Sequence, residues 1–185
     1  MPSDLGHALL GLLARRPSTG YDLARRMQRP VGWFWTAGHS QVYPELARLE
    51  ADGLVEHEVV PGRGPRATKR YRPTAVGTEA LRTWVAAELE PQPVRDLEVL
   101  RLWSVWLVDA EAATDLVRRV RAGHAERLAA YEADLATLDG VAAAHDPAAP
   151  DFASRLTLVG GVLTRRAALE WCDWMLAELT AADRP

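Results

Sequence analysis

The stretch Ser40–Arg72, SQVYPELARLEADGLVEHEVVPGRGPRATKRYR, changes its hydrophobic period once, and that change decides the fold. Up to Ala51 the apolar residues Val42, Leu46 and Leu49 fall three and four apart, the spacing of one buried helix face. Ser40 suits the N-cap, its hydroxyl accepting the Tyr43 amide, and Pro44 lies in the first turn, where a missing N–H costs little. Gly53 closes the helix in a left-handed conformation. From Leu54 to Val60 the residues read as a short strand, Pro61 to Pro65 (PGRGP) as a turn, and Thr68 to Arg72 as the return strand. A helix running straight into a β-hairpin is the pairing of a recognition helix with its wing.

The flanks agree with that reading. Ser3 suits the N-cap of a first helix carrying Leu5, Leu9, Leu10, Leu12 and Leu13. Pro17, Ser18 and Gly20 break it. In the second helix Tyr21, Leu23, Ala24 and Met27 face inward, Asp22, Arg25, Arg26 and Gln28 face out, and Pro30 and Gly32 end it. Thr74 caps a fourth helix through Leu81, Trp84 and Val85. The predicted fold class is mainly α: an N-terminal winged helix-turn-helix with a two-stranded β wing, followed by an all-α C-terminal dimerisation domain. The first domain spans 1–90 and the second 91–185, with Pro91 and Pro93 as the hinge.

A recognition helix enters the major groove with its N-terminal residues at the base edges. Here that end presents His39, Ser40, Gln41 and Tyr43. Gln41 can pair bidentately with adenine, Ser40 can bond several base edges, and a tyrosine hydroxyl suits a phosphate. Tyr43 equally suits a core position with its hydroxyl at the rim. The wing carries Arg63, Arg66, Lys69 and Arg70, four positive charges within eight residues, which suit phosphates beside the groove or the minor groove itself. The partner expected is double-stranded DNA. The alternative is a protein-binding winged-helix adaptor acting through its acidic helical domain.

The whole-chain charge of −3 hides this division. Residues 1–82 carry twelve Arg and Lys against eight Asp and Glu, whereas residues 83–185 carry ten against seventeen. Such asymmetry points to a polyanion-facing part joined to one that is not. The rest of the composition excludes whole classes. At 48% hydrophobic and 25% charged the chain is an ordinary globular sequence of 185 residues, neither disordered nor collagenous. One cysteine, Cys172, can make no internal disulfide and no zinc cluster, so the expected compartment is the cytoplasm. No apolar run is long enough for a membrane span, and the N-terminus lacks a signal-peptide layout.

Several segments resemble the PadR-type transcriptional regulators. Leu10–Gly11–Leu12–Leu13 followed by Gly20–Tyr21–Asp22–Leu23 looks like the opening of that family. Ser40–Gln41–Val42–Tyr43–Pro44–Glu45–Leu46, Arg48–Leu49–Glu50 and Gly53–Leu54–Val55 continue it, and Tyr71–Arg72–Pro73–Thr74–Ala75–Val76–Gly77 is similar to its second wing strand and following helix. The matches run in order across roughly residues 5–85. Pro73 departs from the aliphatic residue usual there and suggests an edge-strand end. The acidic half resembles, more loosely, the longer C-terminal region of one branch. The resemblance implies a homodimeric regulator, usually a repressor, that binds a pseudo-palindromic operator and often responds to a small molecule.

In the second half, Leu97, Leu100, Trp103 and Trp106 mark one hydrophobic helix, and Asp109 suits the cap of the next, which runs to about Gly140. Val117, Leu128, Tyr131, Leu135 and Leu138 form its seam, interrupted by Arg121 and His124. The loop His145–Asp151 ends in a capping aspartate. The last helix is apolar nearly all round, so it needs cover on more than one side, and a second copy of the chain supplies it. The dimer interface expected comprises Trp106, Leu128, Leu135, Leu156, Leu163, Trp171 and Trp174. The other reading, a helix buried within a monomeric bundle, stays open. Effectors near that interface follow from the resemblance, and aromatic walls suit a small apolar or aromatic ligand, with Trp84 and Trp103 nominated.

No enzyme is expected, and no cofactor or metal. Pro61–Pro65 is too short and proline-flanked for a phosphate loop, and no serine sits in a nucleophile elbow. His7, His39, His57, His124 and His145 share no ligand spacing with one another or with Cys172, which reads as a packing thiol.

Overall fold

The structure, a computed structural model, describes residues 1–28, 31–33, 35, 38–61, 67–89 and 95–182. It divides into two compact units, Met1–Pro91 and Gln92–Pro185. The first contains α1 (Asp4–Arg15), β1 (Ser18–Thr19), α2 (Gly20–Gln28), α3 (His39–Ala51), β2 (Val55–Val60), β3 (Thr68–Pro73) and α4 (Ala75–Ala86), with a short 3-10 turn at Val31–Trp33. Ser3 caps α1 by accepting the Gly6 amide at 3.1 Å, and Thr74 caps α4 by accepting the Gly77 amide at 3.0 Å. Gly53 takes φ 68°, so that Leu54 N–H reaches the Leu49 carbonyl at 2.9 Å and Gly53 N–H the Glu50 carbonyl at 3.0 Å. That is the Schellman arrangement that lets the chain leave a helix and enter a strand.

The core of this unit forms where α1, α2 and α3 meet the sheet. Leu9, Leu10, Leu12 and Leu13 of α1, Leu23, Ala24 and Met27 of α2, and Val42, Leu46 and Leu49 of α3 are buried together with Leu54, Val55 and Tyr71. Each fully buried leucine contributes about 1.5–3 kcal/mol relative to an exposed one. Tyr21, expected inside, is instead about half exposed. It stands in the first turn of α2, ahead of the Leu23–Ala24–Met27 face that the core takes up.

The sheet has three antiparallel strands in the order β1-β3-β2, one more than the expected two-stranded wing. Ser18 pairs with Tyr71 and Thr19 with Arg70, while β2 pairs with β3 from Val55↔Pro73 to Val60↔Thr68. Pro73 therefore ends the middle strand, not an edge strand; it lies beyond the reach of β1, where no ladder bond on that side is lost.

The second unit contains α5 (Leu97–Trp103), α6 (Ala110–Ala136) and α7 (Pro150–Ala182), with 3-10 turns at Val105–Leu107 and Ala142–His145. Asp109 caps α6 by accepting the Ala112 amide at 2.7 Å. The helix stops at Ala136, short of Gly140, and Trp106 falls in the turn after α5 rather than on the helix. Asp151 is inside the first turn of α7, not its cap, where a negative charge still favours the helix dipole. Arg121 reaches Asp173, and Arg166 reaches Glu132. Residue numbers thus rise on α6 as they fall on α7, and the two helices run antiparallel. Tyr131 is buried, its ring against Gly161, where an added Cβ would approach to 2.9 Å.

Candidate nucleic-acid interface

The recognition helix α3 has two sharply different faces. Val42, Leu46 and Leu49 are buried, whereas Ser40, Gln41 and Tyr43 at its N-terminal turn are exposed. The helix begins one residue before the expected Ser40, and its cap is made differently: Gly38 is the N-cap residue, and its N–H donates to Gln41 Oε1 at 2.8 Å. Gln41 thus holds the helix start through its amide oxygen, leaving the NH2 group to the exposed side. The His39 side chain lies outside the described residues.

Tyr43 is 50% exposed and its ring lies over Gly20, where an added Cβ would come within 2.6 Å of Cε1. The start of α2 and the start of α3 therefore form one continuous surface. Behind that surface, Ser3 Oγ donates to Glu45 Oε1 at 2.6 Å, and Arg48 donates to the same oxygen at 2.7 Å, so α3 is fixed against the N-terminus of α1.

The wing is tied to the end of the recognition helix through Glu50. Its carboxylate meets His57 Nδ1 on β2 and Lys69 Nζ on β3, the latter at 3.2 Å. The hydrogen bond from His57 lowers the Glu50 pKa most, and Lys69 lowers it further. Arg70 bonds Glu58 at 2.6 Å and Arg72 bonds Glu56 at 3.0 Å, each across a register pair of the hairpin. The wing cations Lys69 and Arg70 are therefore not bare. Exposed pairs of this kind are worth about 0–1 kcal/mol and re-form easily on another anion. Arg63 and Arg66, at the expected wing tip, lie outside the described residues.

A groove of about 810 Å³ opens beside the wing root, lined by Arg16, Pro17, Ser18, Thr19, Tyr21 and Asp22 on one side and Val60, Pro61, Thr68 and Arg70 on the other. Sequence reading assigned only Arg70 of these. The signal for the rest was the pairing of β1 with β3, and two residues after a proline carry no readable period.

Of the aromatic residues nominated for an effector, Trp84 stacks on His7 with ring centroids 4.5 Å apart and planes 9° apart. Burial lowers the His7 pKa, and its Nδ1 is buried without a partner among the described residues. Trp103 is 81% exposed. Of the nominated interface residues, Trp106, Leu156, Leu163 and Trp174 are exposed and Leu128, Leu135 and Trp171 half-buried. His124, one of the two residues that interrupt the α6 seam, is buried between Glu98 of α5 at 2.9 Å and Arg165 of α7 at 2.8 Å. A guanidinium can only donate, so Nδ1 accepts from Arg165 and Nε2–H donates to Glu98. Cys172 is buried, and burial raises its pKa, as for a packing thiol.

Among the described residues no group of three or more His, Cys, Asp or Glu could hold a metal ion, and no helix is long and apolar enough to cross a membrane.

Comparison with known proteins bears on the same two units. Residues 9–83 match the model of the transcriptional regulator PadR-like family, and residues 94–180 that of the virulence activator alpha C-terminal family. The probable transcriptional regulator Rv1176c of Mycobacterium tuberculosis is 32% identical over 187 aligned positions, which cover 91% of this chain and 94% of the relative. The negative transcriptional regulator PadR of Bacillus subtilis is 28% identical over 94% of this chain and 96% of its own. The crystal structure of that PadR in complex with operator DNA superposes with a TM-score of 0.86 at 25% identity, covering 96% of this chain and 99% of the other. Its complex with p-coumaric acid gives 0.80 at 26% identity, covering 95% and 98%. With a winged unit of four helices followed in the chain by a long helical hairpin, and these relatives spanning nearly its whole length, the chain belongs to the PadR-like family of transcriptional regulators.

Proposed function

We propose that this regulator binds DNA as a homodimeric repressor on a pseudo-palindromic operator and is released by a small apolar or aromatic effector. The observation that carries the reading is the exposed N-terminal turn of α3, which offers Ser40, Gln41 and Tyr43 outward from a helix fixed on its other face. Residues 1–90 form the DNA-binding domain. Within it His39, Ser40 and Gln41 read base edges, and Tyr43, Arg63, Arg66, Lys69 and Arg70 hold phosphates. To pair bidentately with adenine, Gln41 gives up its bond to Gly38, at a cost of about 1 kcal/mol, the usual worth of a cap. Residues 91–185 form the dimerisation domain. Exposed Trp106, Leu156, Leu163 and Trp174 supply apolar area for a second copy, with Leu128, Leu135 and Trp171 at its margin. Repression is supported by the negative regulator among the relatives, and an aromatic effector by that protein's complex with p-coumaric acid. Trp84 and Trp103 are the residues nominated for the effector.

The test is a gel shift with the chain's own upstream promoter DNA, in which a shifted band is expected and a promoter that never shifts overturns the reading. In the same assay Lys69→Ala should weaken binding to all sequences alike, while Gln41→Ala relaxes sequence preference. Equal losses on cognate and scrambled duplexes from both would remove the distinction between reader and holder.

A further inference from the structure

The corner between α1 and α2 gathers positive charge. Arg26 is held inside it, donating to the Leu12 carbonyl at 3.2 Å and to Ser18 Oγ at 3.4 Å. Burial lowers its pKa most, and the neighbouring guanidinium groups of Arg16 and Arg15 lower it further, against the opposing pull of Asp22. Asp22 is itself turned to Thr19, whose hydroxyl donates to Oδ2 at 2.8 Å while accepting the Asp22 amide at 3.1 Å. Like charges crowded in this way cost free energy unless an anion joins them. Arg16 stands at the mouth of the cluster as a wall of the 810 Å³ groove, with Arg70 on the facing wall. Among the described residues Arg70 is anchored to Glu58, and both partners are about half exposed, so it can turn to another anion for little.

The groove adjoins the recognition surface. Tyr21 follows Gly20, the residue on which Tyr43 rests, and Thr19 pairs with Arg70. One unbroken surface thus runs from the exposed end of α3, across the start of α2, to the wing root. The walls also include Pro17 and Val60, apolar surfaces against which a sugar can lie, and the Tyr21 and Thr68 hydroxyls, each able to bond a phosphate oxygen. An open trough with a cation on each wall suits a strand that passes through it better than a small molecule, which needs enclosure.

We propose that this groove seats a backbone phosphate of the DNA strand lying between the recognition helix and the wing, with Arg16 and Arg70 as its cations. The inference rests on the DNA-binding reading and adds to it a contact from the α1–α2 corner. It carries no sequence information and sets the register of α3 on the duplex.

The experiment measures fluorescence anisotropy of the full-length chain, Arg16→Gln and Arg16→Lys on the upstream promoter duplex and on a scrambled duplex, between about 50 and 200 mM salt. Arg16→Gln should weaken both duplexes by the same factor, about tenfold, and flatten the log-log salt slope by about one unit per subunit. Arg16→Lys should restore the slope, which a merely structural arginine would not require. Arg16→Gln should melt no lower than the unaltered chain, since it relieves the like-charge crowding around Arg26. If the unaltered chain binds and Arg16→Gln keeps its affinity and slope, the groove assignment falls while the DNA reading stands. If the unaltered chain binds neither duplex, both fall. A fall in affinity under inorganic phosphate beyond that caused by chloride of equal ionic strength, with the Arg16→Gln slope unchanged, makes the groove a small-anion site and overturns the proposal.

Discussion

Gly77 has no room for a side chain. A Cβ added there would lie 1.9 Å from the Leu54 carbonyl oxygen, the same oxygen that accepts the Thr74 amide at 3.0 Å. Gly77→Ala must therefore push α4 away from the start of β2, and it should cost about 3 kcal/mol of stability, the upper part of the usual overpacking range. At Gly11, also inside a helix, an added Cβ would meet no described residue within 4 Å beyond the backbone of its own helix. Gly11→Ala should instead stabilise by about 0.5–1 kcal/mol through the backbone entropy it removes. Paired urea melts check both, and equal shifts would contradict the packing argument. Gly20 is a third case, because its obstacle is a half-exposed ring that can swing away. Gly20→Ala should leave the melt nearly unchanged while lowering operator affinity by about 1 kcal/mol, since the displaced Tyr43 loses its contact. None of these differences is legible in the sequence. A glycine at helical spacing looks the same whether its empty side meets solvent, a ring or a carbonyl.

Glu50 joins three elements, standing near the end of α3 and reaching His57 on β2 and Lys69 on β3. Its pKa is lowered chiefly by the His57 hydrogen bond. A carboxylate with a depressed folded pKa contributes stability above its unfolded value of about 4.3, and that contribution is lost as pH falls through the depressed value. Glu50→Gln should therefore be less stable than the unaltered chain at pH 7, with the gap closing as the pH drops below about 4. Urea melts across that range check it, and a gap that does not change with pH contradicts it. The elements themselves were largely readable, because Ser3, Thr74 and Asp109 announce their helices as caps and Gly53 its left-handed stop. Where tertiary contact decides, the sequence is silent. The strand β1 exists only because Ser18 and Thr19 meet Tyr71 and Arg70. The capping role of Gln41 comes from a side chain reaching back three residues, which periodicity does not display. The pairing of Arg70 with Glu58 and Arg72 with Glu56 follows from the register of β2 on β3, which only the folded sheet displays.

At the scale of the molecule, the division of charge places an excess of four positive charges in residues 1–82 and of seven negative charges in residues 83–185. On the proposed reading each winged unit brings its own phosphate contacts and the acidic half adds none, so DNA affinity should depend on the number of winged units bound together. With about three phosphate contacts per unit in all, a homodimer should show a log-log salt slope of about −5. A dissociated chain, with half those contacts, should show about −2.5. Leu163 is 60% exposed on α7 and makes no part of the buried set of its own unit, so Leu163→Glu should leave each chain folded while placing a charge in the interface. Light scattering should give twice 20.4 kDa for the unaltered protein and 20.4 kDa for the variant. The salt slope should halve with the mass, because each lost partner takes its released counterions with it. A variant that remains dimeric removes Leu163 from the interface. One that dissociates yet keeps the full slope would mean that a single winged unit makes all the contacts, and the two-fold operator would then have no physical basis.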